Sequence, residues 1–185
     1  MCVSEKRKEE YIQLKTEINN CIRFRNTLNT FTIPIVVGLL TFSYGTHTAG
    51  IELYYLCIFA QILMIPILHR IVIFRTEEMR LSAYMHVFLG EDFPSAFWEV
   101  EKYNNKCWLW HWEFFALSCV ATVIICYKNI FDKQQISCPI LFFSFFFTVI
   151  ILVLTIMGNC YKKEKFIREW QNKRERAHVK TDTTL

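Results

Sequence analysis

The feature that most constrains the fold is the collection of apolar residues into four runs, at residues 31–44, 53–74, 114–127 and 140–157. Arg70 is the only Lys, Arg, Asp or Glu inside these runs, although 21% of the 185 residues are charged. A helix needs about 20 predominantly apolar residues to cross the hydrocarbon core of a bilayer. The pattern therefore predicts an all-α, polytopic helical membrane protein with four spans.

Composition excludes several other classes of protein. A hydrophobic content of 53% is too high for a disordered chain, and a net charge of +4 argues against a sequence-specific nucleic-acid binder. The eight cysteines show no framework spacing, so we expect free thiols. The sequence contains no glycine-rich phosphate loop, nucleophile elbow or metal-ligand set. It predicts a protein without enzymatic activity, cofactor or metal.

Lys and Arg are distributed unevenly among the segments that join the runs. Six precede the first run, five lie from Arg70 to the third run with Arg70 included, and eight follow the fourth. The connection 45–52 has none, and the connection between the last two runs has two. Basic residues of short loops stay on the cytoplasmic side during insertion. Both termini and the central segment are therefore expected in the cytoplasm.

These boundaries divide the chain into five segments. We expect a cytoplasmic amphipathic helix in 1–30, a first transmembrane hairpin in 31–74, a cytoplasmic helical extension and turn in 75–107, a second transmembrane hairpin in 108–158 and a basic cytoplasmic tail in 159–185. The architecture is two long helical hairpins with cytoplasmic extensions. Since the run 31–44 is short, a distorted or re-entrant first hairpin is the alternative.

Helical periodicity extends beyond the apolar runs. In the N-terminal segment, apolar residues recur at three- and four-residue steps between polar ones, at Tyr11, Leu14, Ile18 and Ile22. This spacing predicts an amphipathic helix, and no helix breaker separates it from the first run before Pro34. The second run is expected to continue as a helix of about 37 residues at 1.5 Å per residue, with Gly90 as its C-cap.

The segment after the fourth run is basic throughout and is predicted to be helical. Such a helix can lie along an anionic leaflet, where each Lys or Arg contributes about 1 kcal/mol. The candidate lipid-surface residues are Lys162, Lys163, Lys165, Arg168 and Trp170. The alternative is that these residues are ordinary stop-transfer charges.

Few polar side chains lie inside the runs. Gln61 is the one strongly polar residue near the middle of a run, which indicates a hydrogen bond between helices or, alternatively, the lining of a pore. Gly38 and Gly45 are seven residues apart and predict a place of close helix approach. Seven Ser and Thr residues are scattered along the runs and predict no polar stripe: Thr32, Thr41, Ser43, Ser118, Thr122, Ser144 and Thr148.

One pair of residues suggests ribonuclease chemistry. Arg80 and His86 match the Arg-x(4–6)-His spacing of HEPN-type nucleases, in which these side chains gather around a phosphate. However, Leu81 stands where a polar residue is usual, and six residues along a regular helix rotate by about 240°. The alternative is a solvated Arg80 and a His86 packed between helices.

A resemblance rests on the segment 80–94, RLSAYMHVFLGEDFP, with Phe97-Trp98-Glu99 after it and Glu17-Ile18 to Leu28 before the first run. These motifs resemble a loose family of small bacterial four-span membrane proteins, including the membrane accessories encoded beside type VI-B CRISPR effectors. One kind of these accessories is reported to assemble into pores. The resemblance implies an inner-membrane protein of antiviral defence, with a cytoplasmic effector as its partner. Gly90 departs from the charged residue expected there.

Two functions of different classes follow. The first is an oligomeric membrane effector, in contact with the bilayer and with its own copies, whose spans form or gate a conduit. The second is a membrane-tethered adaptor that binds a cytoplasmic partner. The expected contact residues of the adaptor, or of the oligomer, are Tyr84, Phe88, Phe93, Trp98 and Glu99. The alternative for the aromatic rings is packing within the chain.

Overall fold

The computed structural model describes residues 5–45, 54–90, 92–93, 112–130, 138–160 and 163–182. They form five helices: α1 Glu5–Gly45, α2 Tyr54–Phe88, α3 Trp112–Ile130, α4 Cys138–Cys160 and α5 Lys163–Asp182. These ranges contain no strand. The prediction of an all-α fold is confirmed for the described part of the chain.

Four of the helices are long and apolar enough to cross a membrane. They are α1, α2, α3 and the part of α4 from Cys138 to Gly158, and their most apolar windows have mean hydropathies of 1.4, 2.2, 1.5 and 2.9. Their lengths, from 19 to 41 residues, meet the length that a bilayer requires. The four helices indicate a multi-pass membrane protein. Residues 108–111, the start of the predicted second hairpin, lie outside the described residues.

The chain folds as two compact units. The apolar unit contains Arg25–Val72 and Trp108–Gly158, and the charged unit contains Met1–Phe24, Ile73–Cys107 and Asn159–Leu185. Helices α1 and α2 contribute residues to both units. The amphipathic N-terminal segment and the first apolar run form one helix, as the absence of a breaker before Pro34 predicted.

The core of the apolar unit follows from helical spacing. The buried positions of α1 recur every three or four residues and form one face: Arg25, Asn29, Thr32, Val36, Leu40 and Ser43. Fully buried Met64 and Leu68 of α2, Phe114 of α3 and Ile151 of α4 contribute to the same core. The outward surface is also apolar. In α4, for example, Phe142, Phe145 and Phe146 are at least half exposed, as expected for a surface that faces lipid.

In the charged unit, the predicted apolar face of α1 has a partner in α2. Tyr11, Leu14 and Ile18 pack against the buried side chains of Met85 and Leu89. The amphipathic pattern of the N-terminal segment therefore marks a buried face, because burial of these side chains removes apolar area from water.

The end of α2 differs in detail from the predicted cap. The helix ends at Phe88, and the backbone N–H groups of Asp92 and Phe93 both donate to the carbonyl of Leu89, at 3.1 and 3.0 Å. A Cβ on Gly90 would lie 2.5 Å from the backbone oxygen of His86. Gly90 is therefore required by a close backbone approach in the turn after the helix.

The charge distribution and the four candidate spans together predict the orientation. Alkaline phosphatase fused after Gln135 is expected to be active, whereas the same enzyme fused after Leu185 is expected to be inactive. The reason is that its disulfides form only outside the cytoplasm. A fluorescent protein that folds in the cytoplasm should give the reverse pattern. Equal phosphatase activity at the two positions would contradict the orientation.

Candidate functional site

A cluster of polar side chains lies inside the apolar unit and is centred on Gln61 of α2. Gln61 is 0% exposed, although it carries a carboxamide in the middle of an apolar helix. Four hydroxyl residues surround it: Ser118 and Thr122 of α3, and Ser144 and Thr148 of α4. In each helix the two hydroxyls are four residues apart and so share one face. We call these five residues the Gln61 cluster.

The carboxamide nitrogen of Gln61 is surrounded by oxygen atoms. Its Nε2 lies 3.1 Å from Thr122 Oγ1, 3.2 Å from Thr148 Oγ1 and 3.2 Å from Ser118 Oγ. Two backbone oxygens complete the shell, the carbonyl of Ser118 at 3.2 Å and that of Ser144 at 3.4 Å. A single nitrogen therefore faces five oxygens, but a carboxamide has only two hydrogens to donate.

The hydroxyl protons can be placed from the same geometry. Thr122 and Thr148 donate to the carbonyls of Ser118 and Ser144, at 3.1 and 3.0 Å. Their hydroxyl oxygens are then acceptors, so Ser118 donates to Thr148 at 2.8 Å and Ser144 donates to Thr122 at 3.0 Å. The two hydrogens on Gln61 Nε2 complete the bonding of the two threonines. The cluster thus joins α2, α3 and α4 through hydrogen bonds.

One atom of the cluster has no hydrogen-bond partner. Gln61 Oε1 is fully buried and accepts no hydrogen bond from the described residues. Because every hydroxyl and amide proton of the cluster is already used, none is left for this carbonyl oxygen. An unpaired buried carbonyl costs about 1–3 kcal/mol, so this oxygen destabilises the cluster.

Other polar side chains are buried in the apolar unit. The Cys57 thiol donates to Ser43 Oγ at 3.2 Å, and Thr155 Oγ1 donates to the Ile151 carbonyl at 2.8 Å. Lys128 is 2% exposed near the end of α3. Asn29 is also buried, and its Oδ1 has no partner among the described residues. Polar groups are therefore buried along all four apolar helices.

The structure brings together residues that look scattered in the sequence. Gln61 hydrogen-bonds to α3 and α4, and four of the seven hydroxyl residues gather around it. The missed signal is the spacing of four residues between Ser118 and Thr122 and again between Ser144 and Thr148. At Gly38 and Gly45, a Cβ would meet no atom of the described chain within 4 Å. The close helix approach expected there is not seen within the described ranges.

A second group of side chains lies in the charged unit, where α5 packs on α2. The ring of Trp170 meets those of Tyr84 and Phe88 edge-on, with centroids 5.1 and 6.1 Å apart. Lys173 Nζ lies 4.3 Å from the centroid of the Trp170 ring. Arg174 Nη1 donates to the Val87 carbonyl at 2.9 Å, which satisfies an acceptor in the last turn of α2. These contacts fix α5 against the end of α2.

Tyr84 also connects α2 to α1. Its hydroxyl donates to Glu10 Oε1 at 2.8 Å. Burial raises the pKa of Tyr84, and the hydrogen bond and the charge of Glu10 raise it further. Beside this bond lies a cavity of about 420 Å³, lined by Glu10, Gln13, Leu14, Glu77, Arg80, Leu81, Tyr84 and Trp170. The lining combines two carboxylates, one guanidinium and two aromatic rings.

The predicted nuclease pair does not share this cavity. Arg80 lies in its wall, is about half exposed and is 3.9 Å from Glu77 Oε1. His86 is half-buried and is not among the lining residues. The nuclease interpretation stays a prediction. Among the described residues, no group of three His, Cys, Asp or Glu side chains has the geometry of a metal site.

The predicted contact residues that are described have aromatic neighbours within the chain. Tyr84 and Phe88 contact Trp170, and Phe93 stacks on Tyr11 with centroids 4.5 Å apart. An ion pair between Arg7 and Asp92 lies in the same unit as that stack. Trp98 and Glu99 lie outside the described residues.

The predicted lipid-surface residues fall into three groups. Lys165 and Arg168 are exposed on α5, whereas Trp170 is half-buried against α2. Lys162 lies outside the described residues, as does the side chain of Lys163.

Among the described cysteines, five are free thiols: Cys21, Cys57, Cys119, Cys126 and Cys138.

Three comparisons with known proteins complete the description. No family model, no curated protein and no solved structure matches this chain.

Replacement of Gln61 tests the structural role of the cluster. The variant Gln61→Leu, similar in size, is expected to lower the free energy of unfolding by less than about 1 kcal/mol, because loss of the hydrogen bonds to α3 and α4 is partly offset by removal of the unpaired Oε1. Thermal unfolding of the purified protein in detergent measures this change. Ile62→Leu, at an exposed neighbouring position, is the control and should be neutral. A higher stability of Gln61→Leu would show that the bonds contribute less than the unpaired carbonyl costs.

Tyr84→Phe tests the contact between α1 and α2. Loss of the bond to Glu10 is expected to lower the free energy of unfolding by about 1 kcal/mol near neutral pH. A raised pKa means that the unfolded chain ionises first, so the contribution of Tyr84 falls as the pH rises above about 10. The difference between wild type and variant should therefore shrink in that range.

Thermal unfolding across this pH range provides the measurement. Tyr55→Phe, at an exposed position of α2, is the matched control. A difference that stays constant from neutral pH to pH values above 10 would contradict the role of the raised pKa.

Proposed function

We propose that this chain is a non-enzymatic, multi-pass membrane protein that permeabilises the membrane to small ions. The Gln61 cluster is the observation that carries the proposal. Oxygen-lined sites inside a membrane protein replace part of the hydration shell of a permeating ion. Burial of polar groups in an apolar bundle is costly, and polar residues inside spans commonly mark a pathway for ions or substrate.

Two features of the cluster favour an ion pathway over a purely structural bond. A structural hydrogen bond between two helices needs one donor and one acceptor, whereas Gln61 Nε2 faces five oxygens on two helices. The unpartnered Oε1 leaves the cluster with an acceptor that no described residue uses. By the proton assignment, Oε1 and the remaining lone pairs of the Ser118 and Ser144 hydroxyls are acceptors that the protons of the cluster do not use.

The biological setting that we propose is bacterial antiviral defence at the inner membrane, with both termini in the cytoplasm. The resemblance of the segment 80–94 supports this setting, and the distribution of Lys and Arg supports the orientation. Assembly into an oligomer stays a prediction of the resemblance. A cytoplasmic effector as partner is likewise part of the proposal.

A second candidate function is the membrane-tethered adaptor. The cavity of about 420 Å³ in the charged unit favours it, because the anchor side chains of a partner protein bind by filling pockets. Its carboxylates and guanidinium offer polar contacts to the side chains of a partner, and Tyr84 and Trp170 offer aromatic contacts. An adaptor requires no ion pathway through the apolar unit.

Ion flux through liposomes distinguishes the two functions. The purified chain, reconstituted in vesicles with a potassium gradient, is expected to dissipate the gradient, as followed with a potential-sensitive dye. The double variant Thr122→Val and Thr148→Val keeps the shape of both side chains. It is expected to slow the flux by about tenfold or more, because two oxygen ligands are removed.

Thr41→Val is the matched control, since Thr41 is an exposed hydroxyl residue on α1 that donates to the Val37 carbonyl. This variant should conduct like the wild type. A gradient that persists in the presence of the wild-type protein would overturn the conduit and favour the adaptor. Equal slowing by Thr41→Val would show that the cluster is not the pathway.

A further inference from the structure

The Gln61 cluster has a surplus of acceptors. Its six donor hydrogens, four on hydroxyls and two on the carboxamide, are all used by the bonds assigned above. Oε1 of Gln61 and the remaining lone pairs of Ser118 and Ser144 then have no donor within the cluster. A site with this composition attracts a species that brings positive charge or hydrogens of its own.

The nitrogen of Gln61 marks the centre of that site. Five oxygens lie between 3.1 and 3.4 Å from it, and they come from two different helices. Hydroxyl and carbonyl oxygens in such a shell are the ligands that replace the water around a monovalent cation. The carboxamide nitrogen thus occupies the place that a small cation would take.

The charge of the ligands selects the class of cation. All five oxygens are neutral, and Glu113, the only carboxylate in α3, is five residues before Ser118. Calcium and magnesium sites in proteins use carboxylates to balance the charge of the ion. A shell of neutral oxygens is therefore suited to sodium, potassium or ammonium ions.

We propose that the oxygen shell of the Gln61 cluster is a binding site for a dehydrated monovalent cation, and that the carboxamide of Gln61 occupies the site when it is empty. When a cation enters, the side chain of Gln61 withdraws and turns its Oε1 towards the ion. The oxygen that has no partner in this structure then becomes a ligand. Gln61 acts as a plug that competes with the ion. This inference deepens the proposed function and rests on it, because it names the conducted species.

The competition between carboxamide and ion makes the proposal testable. In the wild-type protein the ion must displace Gln61. The apparent affinity is therefore the intrinsic affinity of the shell multiplied by the fraction of time that the site is free. Gln61→Ala removes the plug and leaves the five oxygens in place. The variant is expected to bind the ion with an affinity about tenfold higher than the wild type, since the site is always free.

Thermal unfolding of the full-length protein in detergent measures the binding. Each protein is titrated with KCl, NaCl or NH4Cl against choline chloride at constant ionic strength, because choline is too large for the shell. The melting temperature of Gln61→Ala should rise with at least one small cation, with a midpoint about tenfold lower than that of the wild type. Adding Thr122→Val and Thr148→Val to Gln61→Ala should abolish the rise, whereas adding Thr41→Val should not.

Either of two results with variants that carry Gln61→Ala would overturn the proposal. One is a melting temperature of Gln61→Ala that is the same in all four salts, as expected if only a water molecule fills the site. The other is a cation effect that persists after both threonine hydroxyls are removed. If Gln61→Ala does not fold, the wild type and its double threonine variant are compared, and an equal response of these two to the small cations would also overturn the proposal.

Binding and conduction can fail separately. A cation-dependent melting temperature in a protein that leaves the potassium gradient intact would confirm the site and overturn the conduit. Dissipation of the gradient by a protein whose melting temperature does not respond to the small cations would confirm the conduit and overturn the binding site.

Discussion

The arrangement of the apolar unit depends on one constraint: a polar side chain in an apolar helix must find its partners inside the bundle. Gln61 meets this constraint by facing Thr122 of α3 and Thr148 of α4 at once. Three helices are thereby fixed in rotation and in height, since a turn of any of them would separate the nitrogen from its acceptors. Apolar packing around Met64, Leu68 and Phe114 surrounds the cluster without specifying such a register.

The charged unit is held together by different physics. Its contacts are those of a soluble helical protein: an apolar face of α1 on Met85 and Leu89, aromatic rings around Trp170, and a hydrogen bond from Tyr84 to Glu10. Burial of apolar area from water stabilises this unit, whereas a bilayer would provide no such driving force between the four candidate spans. The two chemistries explain why the same chain carries apolar runs with few charges and amphipathic segments rich in them.

Some features of the fold and of the Gln61 cluster could be predicted from the sequence, and others could not. The helices at Glu5–Gly45 and Tyr54–Phe88 follow from periodicity and hydropathy, and they continue through Pro34 and Pro66. A hydrogen bond between helices was one of the two interpretations that the sequence allowed for Gln61. The sequence analysis did not predict that Ser118, Thr122, Ser144 and Thr148 converge. Spacing along a helix identifies one of its faces, but not which face of a neighbouring helix packs against it. Gly90 was predicted as the helix C-cap, whereas α2 ends at Phe88 and Gly90 lies in the turn beyond it, close to the His86 carbonyl.

The sequence by itself determined the class of protein and the positions of the helices, because hydropathy and periodicity are properties of single segments. It also determined the predicted orientation, since the bias of Lys and Arg is read one loop at a time. Only the tertiary structure decided which polar groups meet. An oxygen shell around one nitrogen, with one carbonyl that finds no donor in the described part of the chain, is a relation between three helices. No local pattern in any one of them contains it.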